Sequence, residues 1–156
     1  MGKLQKRSKY LAKKIVVDGI KFDSKDEAKY YEYLKEKKAK EEILNFELQP
    51  KFVLQEGYTY FGKRRRPITY TPDFRIYHLD GLEELIDVKS MGTATQQGEI
   101  RRKLFEKRYN NLKLTWVCRN ITHGDEDGWI LYEDLKKIRS INRKNKKKEE
   151  VPEVEL

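Results

Sequence analysis

ITYTPDFRIYHLDGLEELIDVKS, residues Ile68–Ser90, decides the fold. From Ile68 to Leu79 the residues alternate, with Ile68, Tyr70, Phe74 and Ile76 on one side, which predicts a strand. Asp80-Gly81 is a tight-turn pair, and Glu83 to Lys89 predicts the antiparallel return. Pro72 falls mid-strand and cannot donate a ladder hydrogen bond, so a bulge or an edge is expected there. Bulges re-aim side chains and are common beside active sites, and Asp73 follows directly. On the return strand, period-two alternation projects Asp87 and Lys89 from one face, within reach of Asp73 across the hairpin.

Outward from this hairpin the chain reads as alternating elements. Ile15 to Phe22 predicts a short hairpin around Asp18-Gly19. Ser24 and Glu27 have capping-box spacing, and a helix is expected from there to about Glu42. Phe46 to Gln55 reads as a strand despite Pro50. Ser90 to Gln97 is small and polar, a loop. Gly98 to Tyr109 predicts a second helix, with Ile100, Leu104 and Phe105 at helical spacing. Leu112 to Cys118 predicts an interior strand, His123 to Gly128 an acidic loop. Glu133 to about Arg143 predicts a last helix, fraying into Lys144–Lys148. There is no internal repeat. This order implies an α/β protein with a central mixed β-sheet flanked by helices.

The 156 residues carry a net charge of +9, with 39% charged and 37% hydrophobic side chains. Such a length fits one domain with a modest core, and 12% aromatic content argues against wholesale disorder. The charge is uneven. Residues 1–14 hold six basic and no acidic side chains, and residues 136–148 hold eight basic and none acidic. With the acidic tail 149–156 taken into account, residues 15–135 sum to −1. The expected organisation is a basic N-terminal arm (1–14), a near-neutral domain (15–135) and a charged helix end and tail (136–156). Basic arms point to a polyanion, most often nucleic acid, or equally to solvated tails. A single cysteine, Cys118, excludes an intramolecular disulfide framework and suits a reducing cytoplasm. With only His78 and His123 besides, no zinc ribbon or Cys/His finger can be assembled. No apolar run approaches a membrane span, and the N-terminus lacks a signal-peptide apolar segment. A cytoplasmic protein with no membrane partner is expected.

Two carboxylates in close reach repel unless a cation sits between them. A hard, oxygen-liganded ion such as Mg²⁺ suits Asp73 and Asp87. It would orient a phosphate and lower the pKa of a bound water, with Lys89 placed to position or deprotonate that water. The plainer alternative is a pair of solvated strand-end acids with Lys89 as a cross-strand ion-pair partner. Glu27 bears on the choice. It occupies the third position of a capping box, yet Tyr31 and Leu34 share its helical face, so it heads an inward stripe. One side chain cannot serve both roles fully. A third carboxylate aimed at the hairpin would complete a metal site.

Pro72-Asp73 followed after thirteen residues by Asp87-Val88-Lys89 resembles the PD-(D/E)XK signature of restriction-endonuclease-like nucleases. Glu27 within Ser24-Lys25-Asp26-Glu27-Ala28 resembles that family's upstream helical acid. The segments VDGIKFDSKDEAKYY, LQPKFVL, ITYTPDF and IDVKS resemble small phage proteins of the same superfamily, and TPDF is similar to phage and archaeal Holliday-junction resolvases. The likeness spans about residues 15–118. Asp87 stands where many members have Glu, and both occur in the signature. The resemblance implies a restriction-endonuclease-like core. It also implies Mg²⁺, with Mn²⁺ as a substitute, on Glu27, Asp73, Asp87 and the Val88 carbonyl, with Lys89 helping to activate water. The expected activity is endonucleolytic cleavage of DNA, most of all branched or junction DNA, leaving a 5′-phosphate and a 3′-hydroxyl. A two-fold homodimer is the expected assembly. The alternatives are a non-catalytic DNA-binding accessory protein on the same fold, or a nicking, packaging or restriction-type endonuclease.

Several other patterns need a reading. Gly57-x-x-x-x-Gly62-Lys63 imitates a phosphate-binding loop, but Arg64 stands where a Mg²⁺-binding Ser or Thr belongs, so no nucleotide cofactor is expected. Lys63, Arg64, Arg65 and Arg66, in a loop flanked by Tyr58, Tyr60 and Phe61, suit phosphate contacts with aromatic stacking, or simply an exposed, solvated hairpin loop. Arg101, Arg102 and Lys103 are candidates to hold the DNA backbone near the cut, or a solvated helix face. Asp125-Glu126-Asp127-Gly128 lacks the spacing of a calcium loop and reads as a surface turn. Trp116 and Cys118 read as core. Neither histidine has a neighbour that would make it a catalytic base, and neither is given a role.

Overall fold

The computed structural model describes residues 14–150; the basic arm expected over 1–14 lies almost wholly outside the described residues, as does the tail from 151 on. Three-residue strands β1 (Ile15–Val17) and β2 (Ile20–Phe22) form the expected hairpin, turning on Asp18 and Gly19, both with positive φ. Helix α1 (Lys25–Ala39) follows, with Ser24 as its N-cap. It ends three residues short of the expected Glu42, because the chain turns at Glu41 with φ 57°. Tyr31 and Lys35 both reach back to Asp18, fastening the hairpin to the helix.

The expected strands at 46–55 and 68–79 are each two strands. The first divides at Gln49 (φ 49°) and Pro50 into β3 (Asn45–Leu48) and β4 (Phe52–Gln55). The second divides at Thr71-Pro72 into β7 (Ile68–Tyr70) and β8 (Phe74–Tyr77). Between them lies a hairpin of β5 (Tyr58–Tyr60) and β6 (Lys63–Arg65), a segment expected to be a loop. The halves join different sheets: β4 pairs with β7, while β3 and β8 pair antiparallel in the central sheet. Strand β9 (Glu83–Val88) returns antiparallel to β8, as expected. The loop after it leads into α2 (Gln96–Arg108), capped by Thr95, and then β10 (Lys113–Arg119) runs parallel to β9. A short β11 (Trp129–Leu131), not foreseen, closes the edge. The last helix, α3 (Tyr132–Glu149), does not fray at Arg143 but runs six residues further. Its Lys- and Arg-rich turns are good helix formers even without packing.

The central sheet thus has the order β11-β10-β9-β8-β3 and is mixed, giving the expected α/β class with helices on both faces. Alternation along β9 and β10 separates those faces. Ile86, Val88 and Val117 pack with α1 residues Tyr30, Tyr31 and Leu34 and with Phe74 and Trp129. Leu85 points the other way, toward Tyr70, Leu54 and Phe105 of α2. Trp116 and Cys118 face Tyr132 and Leu135 of α3. Burial raises the Cys118 thiol to about 11, so it is a core residue as expected. Of the expected α2 stripe only Phe105 is buried; Ile100 and Leu104 are exposed. Among the described residues no helix is long and apolar enough to cross a membrane.

Candidate active site

Pro72 is fully buried where the chain leaves the β4–β7 ribbon for the central sheet. The irregularity expected there is real. The Asp73 amide donates to the Ile86 carbonyl at 3.0 Å, although Ile86 is the register partner of Phe74. Two residues lie against one, the arrangement of a bulge, and the Asp73 carboxylate is redirected so that Oδ2 accepts from the Val88 amide at 2.7 Å. Asp87 is on β9, one residue before its end, 4% exposed. Its Oδ1 lies 2.9 Å from Lys89 Nζ, confirming that the two share a face.

These groups meet in a cleft of about 600 Å³, lined by Glu27, Asp73, Asp87, Val88 and Lys89 together with Thr69, Tyr70, Thr71 and Arg101. Glu27, Asp73 and Asp87, the three acids expected to hold a cation, all line this one space. It lies at the carboxyl end of β9, between the N-termini of α1 and α2; Ser24, Thr95 and Gly98 also line it. Both helix ends present partial positive charge there, which favours an anion such as phosphate. Arg101 stands on the first turns of α2 and adds a full charge.

Glu27 serves the capping role through the Ser24 side chain. The Ser24 hydroxyl accepts from the Glu27 amide and donates to Glu27 Oε1, both at 3.1 Å. It still faces the cleft, half-buried. Burial raises its pKa, against the Ser24 hydrogen bond, and the charges of Asp23 and Asp87 push the same way. Asp73 is raised far more, first by burial, then by the charges of Asp87 and Glu27; the Val88 amide opposes this only in part. A carboxyl raised in the fold is favoured as its neutral form, so its contribution to stability is full below the ordinary carboxylate range and is lost as pH rises through that range and beyond. In metal-chelating buffer the protein should therefore lose stability from mildly acid toward alkaline pH, and Asp73→Asn should flatten that slope and stabilise the fold at neutral pH. Urea unfolding across pH measures this; a variant less stable than wild type at neutral pH would contradict it.

All the donors here are oxygens, as a hard dication requires. Among the described residues no three acid, histidine or cysteine side chains are gathered tightly enough to hold an ion as they stand. Glu27 is drawn to Ser24, and Asp87 to Lys89 and Tyr70. The donor set nevertheless fits such an ion: burial first, and then the charges of Asp87 and Glu27, raise the Asp73 carboxyl, and a cation among the three would relieve the repulsive part of that shift. Glu27, Asp73, Asp87 and the Val88 carbonyl are the groups that would hold it.

Two residues overlooked in the sequence brace the site. The Tyr70 hydroxyl donates to Asp87 Oδ2 and accepts from Trp116 Nε1 at 3.0 Å. Burial and then the Asp87 charge hold the Tyr70 phenol protonated, well above its ordinary pKa. Trp116 is the register partner of Asp87 across the parallel β9–β10 pair, and Lys89 and Arg102 lie over its ring at 5.1 and 4.6 Å. Such outer contacts orient ligating groups. Tyr70→Phe would strand both Asp87 Oδ2 and Trp116 Nε1. The expected result is a loss of cation affinity of about 10–100-fold, roughly the effect of other outer-shell removals, in a protein that still unfolds cooperatively. Unchanged cation affinity would contradict a bracing role. The sequence signal was the alternation that placed Tyr70 on the strand leading into Pro72-Asp73.

The basic candidates divide. Lys63, Arg64, Arg65 and Arg66 are exposed on or beside β6, and Lys103 is exposed on α2. Arg101 lines the cleft. Arg102 points elsewhere: it pairs with Glu106 and Glu133 and stacks on Trp116, tying α2 to α3. It is not among the residues that line the cleft. His78 lies 3.0 Å from Glu84 Oε2, outside the cleft lining. Asp125 organises the expected surface turn by accepting from the amides of Asp127 and Trp129.

The fold and site define a mixed-sheet α/β protein with an acid-lined cleft at a strand end. A family model described as a protein of unknown function, DUF1064, matches residues 7–125, and the chain belongs to that family. The matched span holds the whole cleft and the β5–β6 hairpin and stops before α3. No curated protein and no solved structure matches the chain.

Proposed function

We propose that the protein is a divalent-metal-dependent DNA endonuclease of the PD-(D/E)XK type. One observation carries this reading. Glu27 from α1, Asp73 from the strand switch and Asp87 with Lys89 from the end of β9 converge on one cleft, flanked by two helix N-termini and Arg101. A dication on those carboxylates would supply a Lewis acid for the phosphate and a water of lowered pKa. The chain's own part is to position. Arg101 and the N-terminus of α2 would hold the phosphate on one side. Lys89, fixed between Asp87 and the Trp116 ring, would orient the attacking water and meet the charge that develops on the phosphate. Tyr70 and Val88 hold Asp87 and Asp73 in place. The eight basic side chains of 136–148 on α3 are exposed and would supply sequence-independent, salt-sensitive attraction to DNA.

The expected substrate is branched DNA, with a two-fold dimer cutting paired strands. The test is incubation of the purified protein with a four-way junction, a flap and a linear duplex of shared sequence, with Mg²⁺, Mn²⁺ or chelator. Cleavage in either metal, absent in chelator and strongest on the junction, is the expected result. Binding of all three substrates without cutting would favour the accessory-protein reading. Cutting of the plain duplex alone would favour a nicking or restriction-type enzyme.

A further inference from the structure

Between β4 and β7 the chain rises into the β5–β6 hairpin, whose six strand residues are all exposed and which joins no other sheet. Tyr58 is opposite Arg65, Thr59 opposite Arg64 and Tyr60 opposite Lys63. Alternation therefore gathers Tyr58, Tyr60, Lys63 and Arg65 on one face, with Thr59 and Arg64 on the other. Phe61 forms the tip, 88% exposed, with Gly62 beside it. A two-residue turn of this hand favours Asn-Gly or Gly-Gly, yet Phe61 is held at φ 44°. It gains little there beyond an edge contact with Tyr60 at 4.6 Å. A large aromatic residue in a strained conformation at the most exposed point breaks a local rule without a packing gain, which marks a functional position.

The charge agrees. No acidic residue lies between Gly57 and Pro67. Among the described residues, Lys63, Arg64, Arg65 and Arg66 take part in no ion pair, whereas nearby Glu56 is taken by Arg108. The base of the hairpin is closely fitted: a Cβ on Gly57 would lie 3.0 Å from the Arg65 carbonyl oxygen and 3.3 Å from Pro67 Cδ. From there β7 runs directly to Tyr70 and Thr71 in the cleft wall. Phe61 stands nine residues from Tyr70, so at about 3.3 Å per residue the tip lies within about 30 Å of it. That is under one turn of duplex DNA, roughly 34 Å.

We propose that this hairpin is a stacking finger for unpaired bases of DNA. Phe61, Tyr60 and Tyr58 offer ring faces to bases that have left the duplex stack, and Lys63, Arg64, Arg65 and Arg66 hold the adjoining phosphates. Cations alone would suit any duplex. Exposed rings are useful only where a base face is open, and this gives the finger its selectivity. The cleft would then cut within about one helical turn of a disruption in pairing, a consequence that rests on the endonuclease reading, whereas the binding does not.

The test uses the full chain in chelator, so that no cutting intervenes. Binding is measured to a duplex and to the same duplex carrying a short bulge with 2-aminopurine, whose fluorescence reports stacking. The bulged DNA should bind at least about tenfold more tightly and show quenched fluorescence. Phe61→Ala should weaken bulge binding about tenfold or more and leave duplex binding within about twofold, while Phe61→Trp should restore it. Equal wild-type binding to both DNAs, or an equal loss on both in Phe61→Ala, would overturn the finger. Tighter binding to the same bulge in RNA would overturn the assignment to DNA. Wild-type protein that binds the bulge selectively but never cuts with metal would leave the finger standing and remove the endonuclease.

Discussion

Asp87→Ala should lower metal-dependent cleavage by about a thousandfold or more while leaving DNA binding within a few-fold of wild type. Asp87 is buried in the cleft, beside Asp73, Lys89 and Tyr70. Lewis-acid assistance at phosphate is worth several kcal/mol, and each 1.36 kcal/mol is tenfold in rate, so loss of one principal ligand reaches that size. The fold should survive, because the substitution also removes a buried charge that works against Asp73. Single-turnover cleavage at saturating DNA, with binding measured separately in chelator, reads both effects. Undiminished cleavage by the folded variant would remove Asp87 from the chemistry and the endonuclease reading with it.

The largest stability effect should come from Trp116→Ala. Trp116 is 0% exposed, packs edge-on against Tyr132 at 5.4 Å and donates to Tyr70. Truncating a buried tryptophan costs about 3–5 kcal/mol, a large share of the total stability of a domain this size. The loss should also loosen α3, since Tyr132 and Arg102 both pack on this ring. Trp116→Phe keeps much of the volume but lacks Nε1, so it should cost far less stability while still freeing Tyr70 from one of its two partners. Urea midpoints of the three proteins check this. A midpoint for Trp116→Ala near that of Trp116→Phe would contradict a central packing role.

The readable parts of the fold were those set by local chemistry. Asp80-Gly81 between alternating segments gave β8 and β9, and Ser24 with Glu27 gave the start of α1. Pro50 and Pro72 marked irregular points, but the full strand divisions at Gln49-Pro50 and Thr71-Pro72 were not readable, because apolar alternation continues across both. Ile68 and Tyr70 look like the same stripe as Phe74 and Ile76, yet Tyr70 packs against Phe105 on the α2 face while Phe74 packs under α1. The period was right and the continuity was wrong: a buried proline moved the chain between sheets.

The acids of the cleft were legible as residues, and their convergence depended on tertiary pairing. That Trp116 stands beside Asp87 follows from the parallel β9–β10 pair, which needs the crossover through α2; no spacing in the sequence specifies that register. Arg102 shows what adjacency in the sequence leaves open. It lies next to Arg101 in the chain, but a helix turns neighbouring residues onto different faces. Arg101 therefore lines the cleft while Arg102 meets Glu133. The two strands of the β5–β6 hairpin were not legible because its tyrosines and arginines carry no apolar face to bury, so nothing in their pattern demanded a strand.

The central claim is that Glu27, Asp73 and Asp87 form a divalent-cation site. Titration of the metal-free protein with Mn²⁺, followed by electron paramagnetic resonance of the free ion, tests it without relying on any DNA substrate. The wild type should take up Mn²⁺ in a saturable manner, with Mg²⁺ competing. The Asp73→Asn/Asp87→Asn double variant, still folded by circular dichroism, should leave the ion free over the same range. Equal uptake by the two proteins, or none by the wild type, would contradict the claim.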